Sequence, residues 1–307
     1  MALGKLNGWL GGLVVGVGGG EASLEAIEHG NEPTSFGSRR KDVVPNALNN
    51  FPTVELEPKL PDVRSNFVGD LRFDEAVDDS NEFVRLSARF ALSKLGDPID
   101  ITPIGRAMVE SDSVRLRSHA AFLIGEMGNR SAVAMLRDAT QNRARGASKE
   151  ENRLFDLQAA EAMVKLGEDN QVQVIRAALF PSRPEDLEAT ALASQILGQL
   201  KDQGSVDRLI FLSEYRDPDT KEQYPSEIRL TVAQALAGMG LRGGEFIADE
   251  YAANANPLLR AHAATVYGTF ATPETVGRLS QMLDDPAEEV RIGAVNGVLT
   301  ATERSRR

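Results

Sequence analysis

Cysteine is absent from all 307 residues. That excludes disulfides, thiolate zinc sites, cysteine nucleophiles and acylation at a lipoprotein cysteine of this chain. Histidine is nearly absent too: His29, His119 and His262 are too few for most histidine-rich metal sites. Aromatic residues make up only 6%, with one Trp. Basic residues are outnumbered, 34 Lys and Arg against 45 Asp and Glu, for a net charge of −11. Nucleic acids gain affinity from basic patches, so no nucleic-acid partner is expected. Two local exceptions, Arg143 with Arg145 and the group Arg304, Arg306 and Arg307, read as solvated loop and tail charges. No apolar run approaches the roughly 20 residues of a membrane-spanning helix. The most apolar stretch, Trp9 to Gly20, is short and rich in glycine, and it fits neither phosphate-loop template: no Gly-Lys-Ser/Thr follows, and Gly16-Val17-Gly18 lacks its third glycine. A cytoplasmic location is expected. The alternative is export, with residues 1–22 as a weak signal peptide, Lys5 as its basic region and Glu21-Ala22-Ser23 near the cleavage point.

What is present is core material: hydrophobic residues are 42% of the chain. Residues 1–78 hold Pro33, Pro45, Pro52, Pro58 and Pro61, which break long helices. They read as an irregular, Gly/Pro-rich N-terminal region, a possible leader and a partial cap, with short helical pieces near 21–29 and 62–77. Residues 304–307 read as a basic tail.

Between residues 79 and 303 a pattern recurs. Val84-Arg85-x-x-Ala88 returns as Leu116-Arg117-x-x-Ala120, Ile228-Arg229-x-x-Val232, Leu259-Arg260-x-x-Ala263 and Val290-Arg291-x-x-Ala294, with degenerate copies at Phe155-Asp156 and Ala189-Thr190. Taking the Arg position as an anchor, the seven anchors at 85, 117, 156, 190, 229, 260 and 291 are spaced by 32, 39, 34, 39, 31 and 31 residues. Periods in this range mark stacked helical repeats. Three residues after each anchor stands a small residue: Ala88, Ala120, Ala159, Ala193, Val232, Ala263, Ala294. Seven and ten after stand larger apolar ones, such as Leu92, Leu197, Leu236 and Leu95, Leu166, Phe270. Offsets of three, seven and ten trace one face of an α-helix. One helix cannot bury such a face alone, and stacking buries it. The spacing predicts anchor helices near 82–95, 114–127, 152–166, 185–200, 226–239, 257–270 and 287–300. Shorter amphipathic segments beside them begin at Val133, Val172, Val206 and Val276. Gly96, Gly128, Gly167 and Gly240 are expected past helix C-termini, and Asp79, Ser111, Asp112, Asp284 and Asp285 at helix N-caps. The two long spacings are expected to hold loop insertions at 141–150 and 214–225.

The Val-Arg-x-x-Ala-x-x-Ala-Leu-x-x-Leu-Gly run resembles the second helix of HEAT repeats, and its tighter copies resemble the short HEAT-like repeats of phycobilisome lyases. The resemblance implies an all-α chain: an α-solenoid of about seven HEAT-like helical hairpins. It implies a structural ladder in which Arg85, Arg117, Arg229, Arg260 and Arg291 bond the turn aspartate of their own or the next repeat. Iron-binding HEAT hydroxylases carry repeated His-Glu pairs, whereas His119 and His262 are each followed by Ala. No metal, cofactor or catalytic residue is therefore expected.

The family's commonest use is protein binding. If the anchor helices form the inner layer, offsets five and nine line a concave groove. The fifth-offset column is Phe90, Phe122, Glu161, Gln195, Gln234, Thr265 and Asn296, and the ninth is Lys94, Glu126, Lys165, Gln199, Gly238, Thr269 and Thr300. Phe90 and Phe122 are either a hot spot or core under a cap. A groove without net positive charge suits a protein or peptide. The expected function is thus a non-catalytic protein-binding scaffold. The alternative is a bilin-lyase-like or chaperone-like enzyme.

Overall fold

The computed structural model describes residues 73–305. The expectations for residues 1–72, the leader, the N-terminal region and its helical pieces before residue 73, lie outside the described residues. So does the end of the basic tail.

After a helical turn at Phe73–Ala76 come thirteen α-helices. The seven odd-numbered ones carry the anchors: α1 (Glu82–Leu95), α3 (Val114–Met127), α5 (Lys149–Lys165), α7 (Leu187–Gln199), α9 (Ser226–Gly238), α11 (Pro257–Phe270) and α13 (Glu288–Ser305). The even-numbered ones are shorter: α2 (Thr102–Glu110), α4 (Val133–Gln141), α6 (Val172–Ala177), α8 (Val206–Glu214), α10 (Gly243–Tyr251) and α12 (Pro273–Met282). Three anchor helices, α1, α3 and α11, have the boundaries that the anchor spacing predicts. The chain is all-α, a solenoid of HEAT-like helical hairpins. Its one β feature among the described residues is an isolated antiparallel bridge between Arg216 and Gln223.

Helix ends follow from side-chain chemistry. Gly96 ends α1 at φ +92°, where its lack of Cβ lets Asp97 N–H turn back to the Leu92 carbonyl. Gly128, Gly167 and Gly240 also have positive φ. The N-caps fall later than the sequence suggests. Asn81 and Ser113 accept from the first-turn N–H groups, while Asp79 and Ser111, two residues earlier, accept from Asn81 N–H and Ser113 N–H. A polar residue next to a cap is thus absorbed into the turn that precedes it. Ser148 with Glu151, which closes a capping box, starts α5 three residues ahead of its expected position.

Consecutive odd helices pack against each other all along the array, and each even helix packs on at least one odd neighbour. The odd layer is close-packed because the contact faces carry small residues. A Cβ on Gly125 would stand 2.8 Å from Ala162 Cα, one on Gly198 2.6 Å from Ala235 Cα, and one on Gly268 2.4 Å from Gly297 Cα. Among consecutive even helices only α2 and α4 approach comparably. The odd layer is thus the more closely packed of the two.

The third-offset column is buried in every layer, and the seventh is buried in all but the last, where Val298 is half-buried. The tenth is a rim rather than core: Leu166 and Ala301 are buried, four members are half-buried, and Leu95 is 47% exposed because no earlier described layer covers it. The 142–148 loop is tied down at Asp156, the acidic residue at a degenerate anchor, which accepts from Arg143 at 2.6 and 3.0 Å.

Candidate binding face

The anchor arginines lie along the edge of the array and staple turns. Arg85 donates to the Asp79 and Ser80 carbonyls (2.7 and 3.0 Å), and Arg291 to those of Asp285 and Pro286 (2.8 and 3.0 Å). Arg117, buried, donates to the Ser111 carbonyl at 2.6 Å and to that of Asn142. Arg229 donates to the Ser213 carbonyl, to Glu250 at 2.7 Å and to the Tyr251 hydroxyl at 2.8 Å. Arg260 alone bonds the aspartate of the following repeat, in a fork on Asp285 at 2.9 and 2.7 Å. That fork holds the Asp285 carboxyl below the usual carboxylate range. The other anchor arginines reach turn carbonyls instead, and Arg229 adds Glu250.

The face of the odd layer that points away from the even helices has two unlike halves. Its N-terminal half is charged but internally paired. Lys165 Nζ lies 2.5 Å from Glu126 and 2.6 Å from Glu161, and it stands over the Phe122 ring at 5.2 Å. Burial disfavours charge on Lys165, but the two glutamates outweigh it and raise its pKa. Glu161 is 1% exposed; its Oε2 accepts from Gln158 Nε2, and its Oε1 is within ion-pair reach of Lys165 without an aligned hydrogen bond. Ser118 Oγ and Gln158 Oε1 are buried without partners. Phe90 is capped by Lys94 at 5.9 Å, and both Phe90 and Phe122 are half-buried against the core of the first layers. His119 lies beside them, with Nε2 2.9 Å from Ser87 Oγ and its ring 5.4 Å from Phe83. Burial lowers its pKa.

The C-terminal half is mostly uncharged. A depression of about 200 Å³ runs across α7, α9 and α11, lined by Gln195, Gln199, Thr231, Gln234 and Thr269 together with two cations, Lys201 and Arg304. Thr231 and Thr269 donate to carbonyls four residues back in their own helices, which leaves their oxygen lone pairs as acceptors. The side chains of Gln195, Gln199 and Gln234 make no hydrogen bond to any described residue. Thr265 is half-buried and donates to the Ala261 carbonyl, and Asn296 is exposed. The column is therefore split: Phe90, Phe122 and Glu161 stand in the paired half, Gln195 and Gln234 line the depression, and Thr265 and Asn296 continue it towards the last layer.

Arg304 at the rim is what the sequence pattern does not reveal. It crosses two layers to donate to the Gly238 carbonyl at 3.1 Å, at the C-terminus of α9. No local periodicity signals a contact over 66 positions. A second exposed group lies on the outer layer, where Arg208 stacks between Phe180 (4.2 Å) and Phe211 (4.4 Å). Among the described residues no helix is long and apolar enough to cross a membrane.

No family model matches the chain, and no curated protein matches it significantly. Among solved structures, human deoxyhypusine hydroxylase in complex with glycerol is similar at 19% identity and a TM-score of 0.35, covering 76% of this chain and 95% of that one. An engineered protein is similar at 16% identity and a TM-score of 0.39, covering 65% and 96%. Likeness at this level says nothing of activity, and the α-solenoid assignment stands on the stacked hairpins themselves.

Proposed function

We propose that this chain is a non-catalytic scaffold that binds a protein segment along the inner face, centred on the depression across α7, α9 and α11. The observation that supports this reading is the convergence there of three carboxamides, Gln195, Gln199 and Gln234, whose side chains have no partner among the described residues. A carboxamide presents a donor and an acceptor side by side, which matches a peptide group. The threonine oxygens add acceptors. Recognition through hydrogen bonds at half-buried positions suits an extended segment whose backbone carries the affinity. In the N-terminal half, Phe90 and Phe122 are proposed as apolar contacts, since the charges around them are already paired.

The test is affinity capture from native lysate with cross-linking and mass spectrometry, run in parallel on wild type and Gln195→Glu/Gln234→Glu. The variant replaces amide donors with carboxylates at half-buried positions. Its captured partner should fall at least about tenfold while the melting temperature changes little. Full capture by this variant, and again by Phe122→Ala, would place the binding surface elsewhere.

A further inference from the structure

Three arginines packed into the array, Arg176, Arg229 and Arg260, are neutralised by Asp202, Glu250 and Asp285. Arg208 on α8 is not. It is half-buried, its one hydrogen bond runs from Nε to the Leu179 carbonyl at 2.9 Å, and it has no carboxylate partner among the described residues. Helix α8 supplies none, because three and four residues from Arg208 stand Gly204, Ser205, Phe211 and Leu212. Burial disfavours its charge and lowers its pKa. Aromatic rings hold it instead. The guanidinium lies 4.2 Å from the Phe180 ring and 4.4 Å from the Phe211 ring, and these side chains are 59% and 46% exposed. The row continues from Phe211 to Tyr215 at 5.5 Å and from Tyr215 to Tyr224 at 4.9 Å. In a chain with 6% aromatic residues, four rings and a cation in one row concentrate the residue types that anchor protein interfaces.

We infer that this row is a docking site for a protein segment in which a Glu or Asp side chain is flanked by apolar residues. The site shares no residue with the depression across α7, α9 and α11. Nε of Arg208 is committed to Leu179 and rings pack against the guanidinium, so its two terminal amino groups are what a partner reaches. A carboxylate matches that fork with two parallel N–H···O bonds and supplies the missing counter-charge. The bond to Leu179 fixes the fork before a partner arrives, which lowers the ordering cost of binding. Exposed rings flank the cation, so the partner chain runs on past the carboxylate in both directions to cover them. A C-terminal carboxylate would leave one ring bare. Phosphate recognition gathers several arginines, whereas Arg176, one turn before Phe180, is spent on Asp202.

A random peptide library displayed on phage, panned against the full chain and in parallel against its variants, tests this. Wild type should enrich sequences with Glu or Asp between apolar residues, and Arg208→Gln should retain them at least about tenfold less well. Arg208→Lys keeps the charge without the fork and should fail as Arg208→Gln does. Phe180→Ala removes an exposed ring, so it should weaken retention while circular dichroism and melting temperature stay unchanged, which separates lost docking from lost folding. Gln195→Glu/Gln234→Glu, which alters the depression, should keep these sequences enriched. Exchanging the acidic residue of an enriched peptide for glutamine should release it from wild type, and phosphoserine in its place should bind no better than glutamate. A selection without an acidic consensus, full retention by Arg208→Gln or by Phe180→Ala, loss in Gln195→Glu/Gln234→Glu, or tighter binding of the phosphoserine peptide would each overturn the assignment.

Discussion

Gly268 and Gly277 are both helical glycines, yet changing each to alanine should act in opposite directions. Gly277 lies in α12 with open space where a Cβ would be. Alanine there removes the entropic penalty of glycine in a helix and should stabilise by about 0.5–1 kcal/mol. The same propensity gain acts at Gly268, but a Cβ would meet Gly297 Cα at 2.4 Å and its carbonyl oxygen at 2.5 Å. These are backbone atoms and cannot rotate away. Carbon–carbon contact needs about 3.5 Å, so α11 and α13 would have to separate by roughly 1 Å. That would loosen the contacts around Ala264 and Leu279, which are fully buried at this interface. Overpacking of this kind costs about 1–3 kcal/mol or more, which exceeds the propensity gain. Thermal melts followed by circular dichroism should show Gly277→Ala raising and Gly268→Ala lowering the transition. At about 2–4 °C per kcal/mol for a domain of this size, both shifts are measurable. A melting temperature for Gly268→Ala equal to or above wild type would mean that the odd layer is not packed backbone to backbone.

Leu197, fully buried between layers, and Gln199, exposed two residues later, should separate cleanly. Leu197→Ala should cost about 2–5 kcal/mol through its cavity, while Gln199→Ala stays within about 0.5 kcal/mol; equal urea midpoints would mean the helix faces are misassigned. His262 has its pKa pushed down by burial from 6.5 to about 4. The unfolded chain therefore takes up a proton that the folded chain refuses, and stability falls as pH drops from about 6.5 towards 4, by at most about 3 kcal/mol. Urea titrations at a series of pH values should show that slope, and His262→Gln should flatten it; an unchanged slope would assign the acid sensitivity to other groups. Asp285, whose pKa is lowered mainly by its hydrogen bonds from Arg260, acts in the same direction but only below about pH 4.

The layer of anchor helices was legible in the sequence because its constraint repeats. A helix that stacks on two like itself must keep small residues at Ala88, Ala120 and their counterparts, and seven copies of that demand rise above the noise of any one. Helices α2 and α10 were not singled out, since Pro103 and Gly243-Gly244 sit at their starts where turn signals dominate. The candidate binding face was readable only as a list of columns. Which members meet depends on curvature, and a ligand surface has no reason to repeat from layer to layer. Arg304 looked like a tail charge because its carbonyl partner stands two repeats away.

The loop between α8 and α9 leaves the array at Tyr215 and re-enters at Pro225, and the Arg216–Gln223 bridge brings its two strands together near the array. Its length is thereby uncoupled from the stacking register, since α9 resumes the anchor column at Arg229 despite the 39-residue interval before it. This is a socket for variation. Residues can be gained or lost between Asp217 and Glu222 while the helices on either side keep their neighbours, so a reporter or a whole domain inserted there would ride on the scaffold and leave its inner face free.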